Sequence, residues 1–170
     1  MNYKITVIIT TYNASSSLQK SIDSILNQTF RNWFLILIDD GSTDNTNKII
    51  LKYKKKLGKR ILILKNEANL GISSSLNKAI RHVKTPFFTR QDADDVSSLD
   101  RLERLHSFLE KNTNYDFVSS KMVSLNNRQL TFPKKLIIKP TIHDFIYSLP
   151  FCNAPTLFRS NILKRVDSYD

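Results

Sequence analysis

The sequence predicts an α/β fold, a mostly parallel sheet flanked by helices, built as one domain over residues 1–170. Three observations carry that expectation. Short β-branched apolar runs alternate with stretches whose apolar residues recur at helical spacing. Polar motifs follow three of those runs directly, where open parallel sheets place their ligands. At 170 residues, with 41% hydrophobic and 24% charged, the chain is long enough for a core and ordinary for a globular domain.

The elements follow in order. Ile5-Thr6-Val7-Ile8-Ile9 reads as a buried parallel strand, and Leu18, Ile22, Ile25 and Leu26 as the apolar stripe of a helix. Phe34-Leu35-Ile36-Leu37-Ile38 is a second strand, with Trp33 and Phe34 taken as core residues at its start. Asp44 is placed to cap a helix that buries Ile49, Ile50, Tyr53 and Leu57. Ile61-Leu62-Ile63-Leu64 is a third strand, and Ile72, Leu76, Ala79, Ile80 and Val83 form the next stripe. Phe87-Phe88 makes a fourth strand that runs into an acidic motif. Leu102, Leu105, Phe108 and Leu109 mark another helix, and residues 115–123 another strand.

Arg90-Gln91-Asp92-Ala93-Asp94-Asp95 packs three carboxylates into four positions at a strand end. Carboxylates so close repel unless a cation or solvent compensates. A hard divalent ion, Mn²⁺ or Mg²⁺, is one answer, since it takes oxygen ligands and bridges to substrate phosphates. A solvated acidic turn capping the following helix is the other. Two further polar motifs lie at strand ends: Thr10-Thr11-Tyr12-Asn13 and Asp39-Asp40-Gly41-Ser42-Thr43-Asp44. The predicted topology gathers all three on one rim. Each alone could be a cap or a turn; together they point to a shared crevice. No Gly-x-Gly-x-x-Gly and no Walker-type lysine loop is present, which argues against dinucleotide enzymes and P-loop NTPases. There is no Cys/His metal cluster, and His82, His106 and His143 form no hydrolase triad.

Net charge is +11 and unevenly placed. Lys48, Lys52, Lys54, Lys55, Lys56, Lys59, Arg60 and Lys65 fall between residues 45 and 66 with no acid among them. A solvated helix face explains such a run, and so does attraction to an anionic membrane surface. Nucleic acid is not expected as a partner, because the segment has one aromatic residue, Tyr53, and no known nucleic-acid module. No run approaches a membrane span, the N-terminus is too polar for a signal peptide, and the single Cys152 fits a reducing cytoplasm.

The order and spacing of several motifs resembles family 2 glycosyltransferases over almost the whole chain. The carriers are Val7-Ile8-Ile9-Thr10-Thr11-Tyr12-Asn13, Ser24-Ile25-Leu26-Asn27-Gln28-Thr29-Phe30, Ile38-Asp39-Asp40-Gly41-Ser42-Thr43-Asp44, Asn69-Leu70-Gly71-Ile72, Leu76-Asn77-Lys78-Ala79-Ile80, the acidic motif and Arg101-Leu102. The resemblance implies a Rossmann-like nucleotide-diphospho-sugar transferase fold, the glycosyltransferase A fold. It implies a metal-dependent, inverting transfer of sugar from a nucleotide-diphosphate donor, a UDP-sugar first, to a glycan or lipid-linked acceptor in cell-surface polysaccharide synthesis. The cell compartment implied is the cytoplasm, at the inner membrane face if the basic segment acts there.

Residue by residue, the resemblance places Thr10 and Tyr12 at the base and ribose, with Asn13 and Ser42 beside them, and Asp40 as acceptor from the base. Asp94, with Asp92, matches the Asp-x-Asp metal site, and Ala93 lies between them. Asn69, Gly71 and Asn77 belong to a loop that approaches the donor. Asp95 is a supporting acid or a helix cap. Relatives carry an arginine where this chain has Leu76, so Arg90 is a candidate to neutralise the phosphates. Glu67 is read as a surface residue rather than a base. Relatives place the general base beyond a segment like Asn153-Ala154-Pro155-Thr156-Leu157-Phe158-Arg159. Here that position is expected past Asp170, with Asp167 and Asp170 falling short of it. The resemblance therefore implies truncation at the C-terminus: a donor-binding half without its acceptor half, prone to self-association through uncovered apolar surface. A non-catalytic nucleotide-sugar-binding module is the alternative function.

Overall fold

The structure, a computed structural model, describes residues 2–124, 130–132 and 151–165. Four parallel strands form its centre: β1 (Ile5–Thr11), β2 (Trp33–Asp39), β3 (Ile61–Lys65) and β4 (Phe87–Asp92). They are joined by α1 (Leu18–Leu26), α2 (Thr46–Leu57) and α3 (Ile72–Ile80), with α4 (Arg101–Lys111) after β4. β5 (Phe117–Val118) and β8 (Leu157–Arg159) add antiparallel pairings, giving the order β3-β2-β1-β4-β8-β5. β6 (Met122–Val123) pairs separately with β7 (Leu130–Phe132).

The strand order reverses at β1. The chain steps outward from β1 to β2 to β3, then crosses back to place β4 on the other side of β1. A crossover of one hand that changes direction must change faces. Accordingly, α1, α2 and α4 bury Leu18, Ile22, Ile50, Tyr53, Leu102 and Leu105 against Ile5, Val7, Leu35 and Leu37. α3 covers the opposite face, where Leu76 and Ala79 meet Ile8, Ile36, Ile38 and Phe88. The two faces take alternate residues of β1 and β2, the period-2 rule of a strand. Both strands are therefore buried along nearly their whole length, apolar on both faces but for Thr6 and the polar residues at their carboxyl ends.

Most expected elements are present, with four differences. Residues 115–123 are not one strand: β5 and β6 belong to different sheets, and between them Ser119 turns its hydroxyl to the carbonyl of Cys152 (2.8 Å). The fourth strand is longer than Phe87-Phe88 and carries Asp92 as its last residue, opposite Thr10 of β1. Ile72 opens α3 but is half exposed, and Phe108 is partly exposed against Tyr115. Asp95 caps no helix, since α4 begins at Arg101 behind Asp100. Trp33 and Phe34 are core residues, and the Arg60 guanidinium lies 4.1 Å over the Trp33 ring. Arg159 ties β8 down by donating to the carbonyls of Tyr115 (2.9 Å) and Leu109 (2.6 Å). His143, Asp167 and Asp170 lie outside the described residues.

Candidate donor-binding cleft

Topology places a crevice where the strand order reverses, outside the carboxyl ends of β1 and β4. A cleft of about 610 Å³ lies there. β1 and the turn after it contribute Thr10, Thr11, Tyr12, Asn13 and Ala14; the turn after β2 contributes Asp40; the loop into α3 contributes Asn69 and Gly71, and α3 itself Ile72 and Ser75; the end of β4 and the loop after it contribute Asp92, Ala93 and Asp94. Three sequence motifs separated by tens of residues thus meet in one place.

Each wall is built by hydrogen bonds between motifs. Asn13 adopts a left-handed backbone (φ 47°), a conformation asparagine tolerates better than most residues. From there its side-chain oxygen accepts from Thr43 N–H (2.9 Å), and its own N–H donates to the Ser42 hydroxyl (2.9 Å). The turn bearing Tyr12 is thereby locked to the turn after β2, and Tyr12 itself stands 46% exposed on the cleft. Asp44 joins the same lock, accepting from Thr46 N–H and Ser15 N–H. Those partners, Thr46 foremost, hold its carboxyl well below the usual range. The N-cap of α2 is Asn45 rather than Asp44 as expected; Asp44, one residue earlier, accepts from the first helical N–H, that of Thr46.

Asp40 is the anchor of the opposite wall. Its Oδ1 accepts from Asn66 Nδ2 (2.7 Å) and Leu70 N–H (3.0 Å), and its Oδ2 from Gly71 N–H (2.9 Å). Asn69 accepts from the same Gly71 N–H (3.0 Å). Burial acts to raise the Asp40 carboxyl, but hydrogen bonds from Asn66, Leu70, Ser75 and Gly71 together hold it below its ordinary 3.8. The charged form is therefore favoured by folding, and that stabilisation is lost as pH falls through the depressed value. Asp40→Asn is expected to show a flatter acid limb than the parent when thermal midpoints are followed downward from the ordinary carboxylate value. Parallel acid limbs would rule the anchor out.

The third wall is the acidic loop. Gln91 is buried beneath it, and its amide donates to the carbonyl and hydroxyl of Ser21 (3.1 and 2.8 Å), to Ser24 Oγ (3.1 Å) and to the Asp95 carbonyl (3.2 Å). Ser21 Oγ in turn donates to the Asp92 carbonyl (3.0 Å), and Ser97 N–H to Ser24 Oγ. The loop is thus pinned to α1 from below while Asp94 stays exposed above, lining the cleft. Asp95 points into the protein, where burial first, and then the charges of Asp92 and Asp94, push its carboxyl up. Arg101, held at about 10 by burial, is the nearby counter-charge.

The donor set fits a hard cation. The loop gathers three carboxylates, and the charges of Asp92 and Asp94 add to burial in raising Asp95, so its ligand atoms are carboxylate oxygens that a cation would relieve. Among the described residues no group of three or more His, Cys, Asp or Glu side chains forms a protein cage. The fit is to an ion that takes Asp94 and Asp92 from the protein and completes its shell with phosphates and water, as Mg²⁺ does.

Not every expected residue reaches the cleft. Arg90 forms an ion pair with Asp92 and lines a second cavity of about 270 Å³ with Gln91, Asp95 and Arg101. Arg90 is therefore not among the residues lining the cleft but is paired with Asp92, which is. Ser42 and Asn77 are not among the cleft-lining residues. Ser42 acts through Asn13, and Asn77 sits half-buried on α3. Glu67 is exposed. Asn66 and Gln91 were not anticipated as supports. Their signal was available: Asn66 follows an apolar strand directly, and Gln91 falls on the buried phase of β4.

Comparison with known proteins agrees with this geometry. A putative glycosyltransferase EpsE of Bacillus subtilis is 34% identical over 98% of this chain and 60% of its own length. WfgD of Escherichia coli, a UDP-Glc:alpha-D-GlcNAc-diphosphoundecaprenol beta-1,3-glucosyltransferase, is 33% identical over 76% of this chain and 49% of its own. Residues 1–349 of Staphylococcus aureus TarS, solved with UDP, superpose with a TM-score of 0.81 at 27% identity, over 98% of this chain and 49% of that one. The chain therefore spans about half the length of the relatives it matches, and its mixed α/β architecture is the glycosyltransferase A fold. The model of glycosyl transferase family 2 matches residues 6–169, and the chain belongs to that family.

Proposed function

We propose that residues 1–170 form the donor-binding unit of a metal-dependent, inverting glycosyltransferase. It takes a sugar from a nucleotide-diphosphate donor, a UDP-sugar, and passes it to a glycan or lipid-linked acceptor in cell-surface polysaccharide synthesis in the cytoplasm. The observation that carries this is the convergence of Tyr12, Asp40 and Asp94 from three strand ends on one cleft. UDP bound to TarS and the UDP-Glc and lipid-diphosphate substrates in the name of WfgD favour uracil and a lipid-linked acceptor.

Each wall then has a task. Tyr12 offers its ring to the base and Thr10 its hydroxyl to the nucleoside. Asp40, preorganised by Asn66 and Gly71, presents a charged acceptor to the base N–H. Asn69 and Gly71 bring backbone close to the donor. Asp94 and Asp92 would hold the divalent ion, Mn²⁺ or Mg²⁺, which neutralises the departing diphosphate when bound. The acceptor hydroxyl attacks the anomeric carbon and loses its proton to a carboxylate.

That carboxylate is not offered by the described cleft. Its acids are Asp40, Asp92 and Asp94: Asp40 is hydrogen-bonded to the α3 loop, and Asp92, paired with Arg90, is assigned with Asp94 to the ion. The proposal takes the base from outside the described residues. The same observation favours the second reading, a nucleotide-sugar-binding module without transfer activity. Calorimetry with UDP, GDP and ADP, with and without Mn²⁺, followed by a transfer assay on the UDP-sugars that bind, decides. UDP binding that strengthens with Mn²⁺ is expected, and no binding of any nucleotide with metal present would end the proposal. Transfer would exclude the module, whereas binding without transfer fits both a donor-binding unit lacking its base and a module.

A further inference from the structure

α2 is a helix whose two faces obey different rules. Its inner face buries Thr46, Ile50, Tyr53 and Leu57 against the sheet and α1. Its outer face carries Lys48, Lys52, Lys54, Lys55 and Lys56, all exposed, and exposed Lys59 follows in the next turn. At helical spacing Lys48 and Lys55 flank Leu51 on the outer side, at i−3 and i+4. Leu51 is 54% exposed, an aliphatic side chain set among ammonium groups.

Helix physics explains only part of this. Lys54, Lys55 and Lys56 in the last turn complement the helix dipole. Lys48 lies in the first turn, where positive charge opposes the dipole, and the acid at that end, Asp44, lies one residue before the N-cap. Lys48 and Lys52, and Lys52 and Lys56, are like charges at i, i+4, a spacing that destabilises a helix. No acidic residue lies between residues 45 and 66. Lys52 donates to Gln19 (3.2 Å), and Lys52 and Lys56 lie over the Tyr53 ring, but the like charges along the helix are relieved further by an anionic partner outside it.

The shape of the patch selects the partner. Surfaces for single-stranded nucleic acid interleave basic residues with exposed aromatics on which bases stack. Here the one aromatic, Tyr53, is buried, and its hydroxyl donates to Asp23 (2.7 Å). A row of flexible lysines around one exposed leucine matches lipid headgroups above an acyl layer. No α2 residue lines the donor cleft, so docking here leaves the cleft open.

We propose that the outer face of α2 is a docking surface for an anionic lipid bilayer, held by Lys48, Lys55 and Lys59 with Leu51 entering the headgroup layer. This surface is independent of the donor reading, and nucleoside diphosphate binding measured in parallel keeps the two separate. The test is co-sedimentation of the purified chain with vesicles of phosphatidylcholine alone or mixed with phosphatidylglycerol, at low and high salt. Selective binding to the anionic vesicles is expected, with loss near 1 M salt, where the screening length falls to about 3 Å. Lys48→Gln/Lys55→Gln/Lys59→Gln is expected to weaken that binding on the order of 100-fold. The triple variant should keep its circular dichroism spectrum and its nucleoside diphosphate binding. Leu51→Ser should lose several-fold without changing the salt dependence. Absence of binding, equal binding to neutral vesicles, or an unaffected triple variant would each overturn the proposal. Tighter binding to single-stranded DNA than to the vesicles would overturn it in favour of a nucleic-acid surface.

Discussion

Gly41→Ala is expected to lower the thermal midpoint by roughly 4–20 °C and to weaken nucleotide binding with it. Gly41 follows Asp40 in a left-handed conformation (φ 76°). A Cβ placed there would stand 2.6 Å from the backbone carbon of Ala68 and 2.9 Å from the backbone nitrogen of Asn69. Two penalties add. The left-handed backbone costs a side-chain-bearing residue about 1–2 kcal/mol, and overpacking against rigid backbone costs about 1–3 kcal/mol. Relief requires the loop of residues 66–71 to move away from β2. That movement withdraws the Leu70 and Gly71 N–H groups from Asp40, so damage to the fold and to the cleft is coupled. Gly58 supplies the control. It is also left-handed (φ 54°), but a Cβ there meets nothing within 4 Å. Gly58→Ala should therefore show the conformational penalty alone and leave nucleotide binding intact. Equal loss of stability in the two variants, measured by thermal denaturation, would show that the approach of Ala68 to Gly41 is not a close one.

The contrast between these glycines shows what a sequence can carry. Both look like punctuation after a regular element. Only one is held by a loop that arrives from a strand further along the chain. The same limit runs through the cleft. β1 and β2 were legible because double burial demands an unbroken apolar run, and the polar motifs after them mark the strand ends. Once the strand alternation implied a reversal of order, Tyr12, Asp40 and Asp94 had to share a rim. The supports were harder to read. The contacts of Asn66 with Asp40 and of Gln91 with Ser21 and Ser24 join residues 26 to 70 positions apart, and no local propensity encodes them. A buried polar side chain without a partner is expensive, so a polar residue on the buried phase of a strand signals that a partner exists without saying which. Arg90 shares a face of β4 with Asp92, two residues on, and its guanidinium pairs with that carboxylate, a contact the spacing allows but does not dictate. The segment 115–123 failed because its apolar content suits a strand, yet Ser119 hydrogen-bonds to Cys152 and divides it between two sheets.

Asp94→Asn is expected to abolish the metal-dependent part of nucleoside diphosphate binding, a loss of about 100-fold or more. The magnitude follows from analogy: residues that merely orient metal ligands cost about 10–100-fold when changed, and a direct anionic ligand to a hard cation should cost at least as much. Its effect on the unliganded fold has the opposite sign. Asp94 is exposed, and its charge, after burial, is one of the causes that push the half-buried Asp95 carboxyl up. Removing that charge relieves repulsion in the loop, so the unliganded variant should be as stable as the parent or slightly more so. A residue kept for folding does not behave this way, whereas a site that stores repulsion until a cation arrives does. Asp92→Asn should differ, because it also breaks the ion pair with Arg90 and leaves a guanidinium with its Nε already unpartnered beside the strand. It should lose stability as well as metal-dependent binding. Thermal shift of the parent and both variants, with UDP alone, Mn²⁺ alone and the two together, separates these outcomes. The parent should gain most from the pair, Asp94→Asn should gain no more from the pair than from UDP alone, and its unliganded midpoint should not fall. A full metal-dependent shift in Asp94→Asn would remove it as a ligand and leave the acidic loop as a solvated turn.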